Sequence, residues 1–221
     1  GASAVAAAVP VDNLSLTTLT AKTSPLGSEI TAETWQTDND PIFLWDPPVA
    51  APELAGYSYA FDAAPDDEVN TTDTSYDVAA ETPNTLTDGS HTFSVKAVNT
   101  LGNAGDPIEF EIWIDTTPPQ ISTYGPTAGA LLGGSPTVTA TVSDIHSGVD
   151  PNASRILING SSASTSFDQA TGIFTASAVS WNEGSNSLEL RMEDLLGNAQ
   201  TPLLWSVTVD TKPPSGTVVI N

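Results

Sequence analysis

Five oxygen-bearing side chains stand out by type and spacing: Asp115, Asp144, Asp150, Asp194 and Asn198. They lie in three stretches far apart in the chain, "IDTTPP", "SDIHSGVD" and "EDLLGNAQ". Carboxylates and amides are hard oxygen ligands, and Ca²⁺ collects roughly six to eight such oxygens. Carboxylates brought together without a cation repel one another, so a bound cation would stabilise whatever fold gathers them. The competing reading is local. An Asp in a turn accepts hydrogen bonds from its own backbone, and this reading is strongest for Asp150 and for Asp168.

Other reactive residue types are sparse. His91 begins a strand after a "DGS" turn, and His146 lies in a polar loop. There is no H-E-x-x-H pair, no G-x-S-x-G elbow and no P-loop. With 27 acidic residues, paired carboxylates are common and carry no glycosidase signal without a cleft to fix them. The absence of cysteine excludes disulfides, thiolate metal sites and iron–sulfur clusters. These observations predict a protein without catalytic activity. Trp35, Trp45, Trp113, Trp181 and Trp205 could form a sugar-stacking platform, but packing is the simpler expectation. Sequons begin at Asn13, Asn70, Asn152 and Asn159; glycosylation there would suit an exposed protein.

The elements that must position these residues follow from composition and pattern. The 221 residues suffice for one large domain or two of about 100 each. A net charge of −22, with only five basic residues, argues against nucleic acid and anionic membranes as partners. So acidic a chain suits high salt or the binding of hard cations. Hydrophobic residues make up 39%, in short bursts, and no stretch approaches the roughly 20 apolar residues of a membrane helix. The opening "GASAVAAAVP" lacks the basic start and long apolar run of a whole signal peptide.

Period-two alternation marks strands. "SHTFSVKAV" places Phe93, Val95 and Ala97 on one face, and "IEFEIWI" does the same for Ile108, Phe110, Ile112 and Ile114. "PTVTATVSD" turns Val138, Ala140 and Val142 inward, and "NSLELRMED" turns Leu188, Leu190 and Met192 inward. The chain also repeats itself. Val95–Pro119 aligns without a gap on Leu190–Pro214, at an offset of 95 residues. Both segments read strand, "LGNA" turn, strand, then Asp-Thr-x-Pro-Pro. The period suits immunoglobulin-type sandwiches, which need about 100 residues. The expected fold is therefore all-β, two tandem immunoglobulin-like sandwiches. The expected organisation is an N-terminal extended segment (1–28), one sandwich (29–115), a second (116–210), and a linker with a first strand (211–221). Proline cannot donate to a ladder and forces its predecessor to be extended, so each Pro-Pro ends a strand and stiffens the joint.

The second module resembles the bacterial immunoglobulin-like repeats of large surface adhesins. "DTTPPQIS", "GGSPTVTATVSDIHSGVDPNASRILING", "ATGIFTAS" and "EDLLGNAQTP" carry the resemblance. The first is similar to fibronectin type III-like repeats of the same proteins, through "TDNDPIFLWDPP", "LAGYSYAFDA" and "LTDGSHTFSVKAVNTLGNAG". The resemblance implies an extracellular or cell-surface setting and structural Ca²⁺ at repeat joints. Some bacterial surface sandwiches also carry a Lys–Asn isopeptide staple. Lys96 is the one donor on a predicted strand here, and alternation points it outward.

In a sandwich of this type the chain enters beside the B–C and F–G loops. The Asp115 stretch, the loop with Asp144 and Asp150, and the loop with Asp194 and Asn198 should then converge. Module one has Asn99 and Asn103 in place of Asp194 and Asn198, so a weaker site or none is expected there. Asp210, Pro213 and Pro214 should serve a joint to a further module. The expected partners are neighbouring immunoglobulin-like modules or copies of the chain, with a surface glycan or protein as target. The leading functional expectation is a non-catalytic stalk or adhesive module. The alternatives are a filament subunit joined by β-strand exchange through "SGTVVIN" and a carbohydrate-binding region of a secreted enzyme.

Overall fold

The computed structural model describes residues 13–51, 53–81, 85–177 and 180–216. The chain divides between Thr116 and Thr117 into two compact units, each with its own hydrophobic core. Among the described residues there is no α-helix, only a single 3-10 turn at Val78–Ala80. Both units are β-sandwiches of the immunoglobulin and fibronectin III type.

Unit 1 contains β1 (Leu19–Lys22), β2 (Glu29–Ile30), β3 (Trp35–Gln36), β4 (Ile42–Trp45), β5 (Leu54–Phe61), β6 (Ser75–Asp77), β7 (Gly89–Asn99) and β8 (Ile108–Ile114). One sheet runs β2-β1-β4-β6 and the other β3-β8-β7-β5. The alternating strands deliver Phe93, Val95, Ala97, Ile112 and Ile114 to the core, all fully buried. Phe43 of β4 stacks on Phe93 with ring centroids 4.3 Å apart. Leu14, Leu16 and Ala21 join the same core, and β1 pairs with β4 from Leu19↔Trp45 to Lys22↔Ile42. The first strand of this sandwich therefore comes from residues that the sequence pattern leaves in the leading segment 1–28.

Unit 2 contains β9 (Gln120–Gly125), β10 (Leu131–Leu132), β11 (Val138–Ser143), β12 (Arg155–Ile158), β13 (Ser161–Ser162), β14 (Ser164–Asp168), β15 (Ile173–Ser177), β16 (Gly184–Arg191) and β17 (Leu203–Val209). Its sheets run β14-β15-β11-β9 and β10-β17-β16-β12-β13, an immunoglobulin-like order in which short β10 and β13 extend the second sheet at its two edges. Val138, Ala140, Val142, Leu188, Leu190 and Met192 fill the core as their alternation predicts. A register shift at Thr141/Val142 lets Val142 donate its N–H to the Gly172 carbonyl.

A short strand runs parallel to the last strand in each unit. Trp35 and Gln36 pair with Trp113 and Ile114, and Leu131 and Leu132 pair with Thr208 and Val209. The strand predicted within "SGTVVIN" lies, from residue 217 onward, outside the described residues, as does the opening segment through residue 12.

Candidate metal centre

The "LGNA" loops have one backbone design and two chemistries. In unit 1 the Asn99 side-chain oxygen accepts N–H bonds from Leu101 (3.0 Å) and Asn103 (2.9 Å). In unit 2 the Asp194 carboxylate accepts the equivalent bonds from Leu196 and Asn198, both 2.8 Å. Gly102 and Gly197 complete the turns at φ 81° and 86°, a region where a Cβ would be strained. Both Asn99 and Asp194 are buried. The loop is thus a rigid cradle that holds an amide in one unit and a carboxylate in the other.

Asp144 has the same local geometry, accepting N–H bonds from His146 (3.0 Å) and Gly148 (2.8 Å). Its loop is stitched to the Asp194 loop. Leu195 donates its N–H to the Gly148 carbonyl (2.9 Å), Asp150 donates to the Glu193 carbonyl (2.9 Å), and Val149 bridges to Asp194. An oxygen of Asp144 and one of Asp194 consequently lie within 4.8 Å of each other. Asp194 is 1% exposed and Asp144 is half-buried, so the two carboxyl groups face each other in a partly water-excluded setting. Two carboxylates on fixed turns suit a hard cation such as Ca²⁺ and lack the nitrogen or sulfur ligands that favour zinc.

The remaining predicted ligands divide. Asp150 is absent from the carboxylates brought together among the described residues; it caps its own turn, accepting from the Asn152 N–H at 2.7 Å. The Asn198 amide donates to Asp194 Oδ2 at 2.6 Å, which orients that carboxylate. Asp115 is fully buried at the end of unit 1 and donates its N–H to the Gln36 carbonyl at 2.9 Å. Asp210 donates its N–H to the Leu132 carbonyl at the same distance but is exposed. Pro213 and Pro214 follow it, also exposed.

The Asp-Thr-x-Pro-Pro phrase also builds a clip in each unit. Thr116 donates its N–H (3.0 Å) and hydroxyl (2.8 Å) to Asp88. Thr211 donates its hydroxyl (2.7 Å) and N–H (3.2 Å) to Glu183. Those bonds hold the Glu183 carboxyl below its ordinary range, against a small opposing effect of burial. Each acid immediately precedes a positive-φ glycine that opens the penultimate strand, Gly89 or Gly184. Sequence reasoning missed these clips, although the 95-residue offset extends upstream to "DGS" and "EGS" and marks them.

Each tryptophan has a packing partner or hydrogen bond within its own unit. Trp35 and Trp113 lie 5.3 Å apart, and the Trp113 indole donates to Glu111. Trp45 meets Tyr57 edge-on, and Trp205 packs on Tyr124. The Trp181 indole donates to the Pro136 carbonyl. Lys96 forms an ion pair with Asp67 at 2.7 Å. His91 sits between Asp62 (2.8 Å) and the Thr87 carbonyl (2.9 Å).

No protein-family profile matches the chain, and no curated protein sequence does. Several solved structures are similar to it. Fibronectin(III)-like modules of Clostridium thermocellum CbhA share 15% identity over 92% of this chain and 100% of theirs, with a TM-score of 0.36. The titin I-band fragment I67–I69 shares 12% over 80% of this chain and 60% of its own, with a TM-score of 0.45. Human protocadherin-24 EC1-2 shares 14% over 81% of this chain and 94% of its own, with a TM-score of 0.40. The chemistry of the candidate metal centre stands on its own geometry.

Proposed function

We propose that this chain is a non-catalytic structural segment of an extracellular or cell-surface protein, with sandwiches in series forming an adhesive stalk. The observation that carries this reading is the module end built twice. The same threonine clip and Pro-Pro sequence close both units, at an offset of 95 residues. A chain that repeats its terminating device, with no assembled catalytic set in its sequence, is organised for connection.

Within this reading Ca²⁺ stiffens the joint. Asp144 and Asp194 of unit 2 supply carboxylates on fixed turns, and the Pro-Pro pairs limit backbone freedom. A cation bound only by the folded chain raises stability by mass action, about 2.7 kcal/mol at a hundredfold excess over the dissociation constant. Calorimetry of the metal-stripped chain should therefore show unit 2 melting at higher temperature with millimolar Ca²⁺. An unchanged melting curve would remove calcium from the proposal and leave the stalk reading on the repeated module ends alone.

A further inference from the structure

Asn159 and Gly160 alone form the turn between β12 and β13, since Ile158 pairs with Ser161. Their φ angles are 52° and 77°. Positive φ at both turn positions is the signature for which Asn-Gly is the preferred pair. The same dipeptide invites intramolecular attack, because glycine places no side chain beside its own N–H. In that reaction the Gly160 nitrogen bonds to Cγ of Asn159, and the Cγ–Nδ2 bond breaks. The nitrogen's proton leaves with the amide as ammonia, and water opens the resulting succinimide to aspartate or isoaspartate.

The folded unit restrains both ends of the Asn159 amide. Nδ2 donates to Asn186 Oδ1 at 2.8 Å, and Oδ1 accepts the Ser187 N–H at 3.0 Å. Asn186 is fully buried. Its Nδ2 donates to the Asn182 and Gly184 carbonyls, and its Oδ1 also accepts the Asn182 N–H. This saturated network requires an amide at position 159. An aspartate would set an oxygen against Asn186 Oδ1, and Asn186 cannot reverse without losing its bonds to Asn182 and Gly184.

Unit 1 builds the same node with the opposite choice. Asp62 has φ 53°, donates its N–H to the Thr92 carbonyl and accepts the Thr92 N–H. Its second oxygen faces the His91 ring, which reaches back to the Thr87 carbonyl as Asn186 reaches Asn182. There the next residue is Ala63, not glycine. We infer that Asn159 is a deamidation site held closed by Asn186, and that its conversion to aspartate is a one-way covalent change that loosens unit 2.

The test is peptide mass mapping of Asn159 during incubation of the full chain at neutral pH and body temperature. Three samples are compared: native chain, chain unfolded in urea, and Asn186→Ala. Native Asn159 should react at least about tenfold more slowly than in urea, since two hydrogen bonds must break first. Asn186→Ala should react faster than the native chain. Equal rates in the native and urea samples would overturn the inference. So would a folded Asn186→Ala as slow as wild type, which would assign the protection to the turn alone. If Asn186→Ala fails to fold, Asn159→Asp decides: a lowered melting temperature of unit 2 is expected, and an unchanged one refutes the loosening.

Discussion

Asp62 and Asn159 occupy equivalent nodes, yet only one of them titrates. Burial pushes the Asp62 carboxyl upward, but the His91 ring and the Thr92 N–H outweigh it and hold the group below its ordinary value of 3.8. A carboxyl lowered on folding stabilises the folded state above its unfolded value. That contribution is lost as pH falls from about 3.8 through the lower folded value. Unit 1 should therefore lose stability in this acid window more steeply in wild type than in Asp62→Asn, measured as melting temperature against pH. Parallel curves would deny Asp62 the role. At this scale the sequence reveals the "LGNA" cradle, because Asn99 and Asp194 fall on the repeat. It hides the Asp62 and Asn159 nodes. Their flanks, "AFDAA" and "LINGS", share no pattern, and their spacing of 97 departs from the repeat. A hydrogen-bonded node depends on where strands end, and strand ends are the least legible part of a sequence.

Strands with strict alternation are fully legible as elements. Phe93, Val95 and Ala97, and likewise Leu188, Leu190 and Met192, point where period two sends them. The first strand of unit 1 is less legible, since "LTAK" is half polar and buries only Ala21. Its place is fixed by pairing with β4, a long-range contact. Each clip ties the end of a unit's last strand to the start of its penultimate strand. Thr116→Val and Thr211→Val each remove a hydroxyl donor to a carboxylate and keep the β-branched shape. Each should lower stability in denaturant titration, the first in unit 1 and the second in unit 2. An effect below the error in both would reduce the repeated phrase to its prolines. Gly172 carries a harder constraint. At φ 69° an added Cβ would lie 2.5 Å from the Val142 carbonyl oxygen, so Gly172→Ala should destabilise unit 2 by about 1–3 kcal/mol. Retained stability would show that the β11 irregularity tolerates a shift.

Across the whole molecule, a net charge of −22 makes any cation stabilising to some degree, and this sets the control for calcium. Monovalent salt screens the general repulsion over about 10 Å at 0.1 M and should raise stability gradually, without saturating at a defined stoichiometry. A specific site behaves differently because it contains its own local repulsion. Asp144 and Asp194 present oxygens within 4.8 Å, and the Asp194 side chain is shut off from water. Their repulsion is on the order of 1–3 kcal/mol at an intermediate effective dielectric. Asp144→Asn keeps the side-chain oxygen that accepts the His146 and Gly148 N–H bonds and removes the charge. The sign of its effect should therefore reverse with calcium. In chelator at fixed ionic strength the variant should melt above wild type, because the repulsion is relieved. In millimolar Ca²⁺ it should melt below wild type, because a ligand is lost. A variant more stable than wild type under both conditions would mean that the pair is only a repulsive contact. The crossing of the two melting curves, unlike a rise in melting temperature alone, separates a built cation site from the general response of an acidic chain to salt.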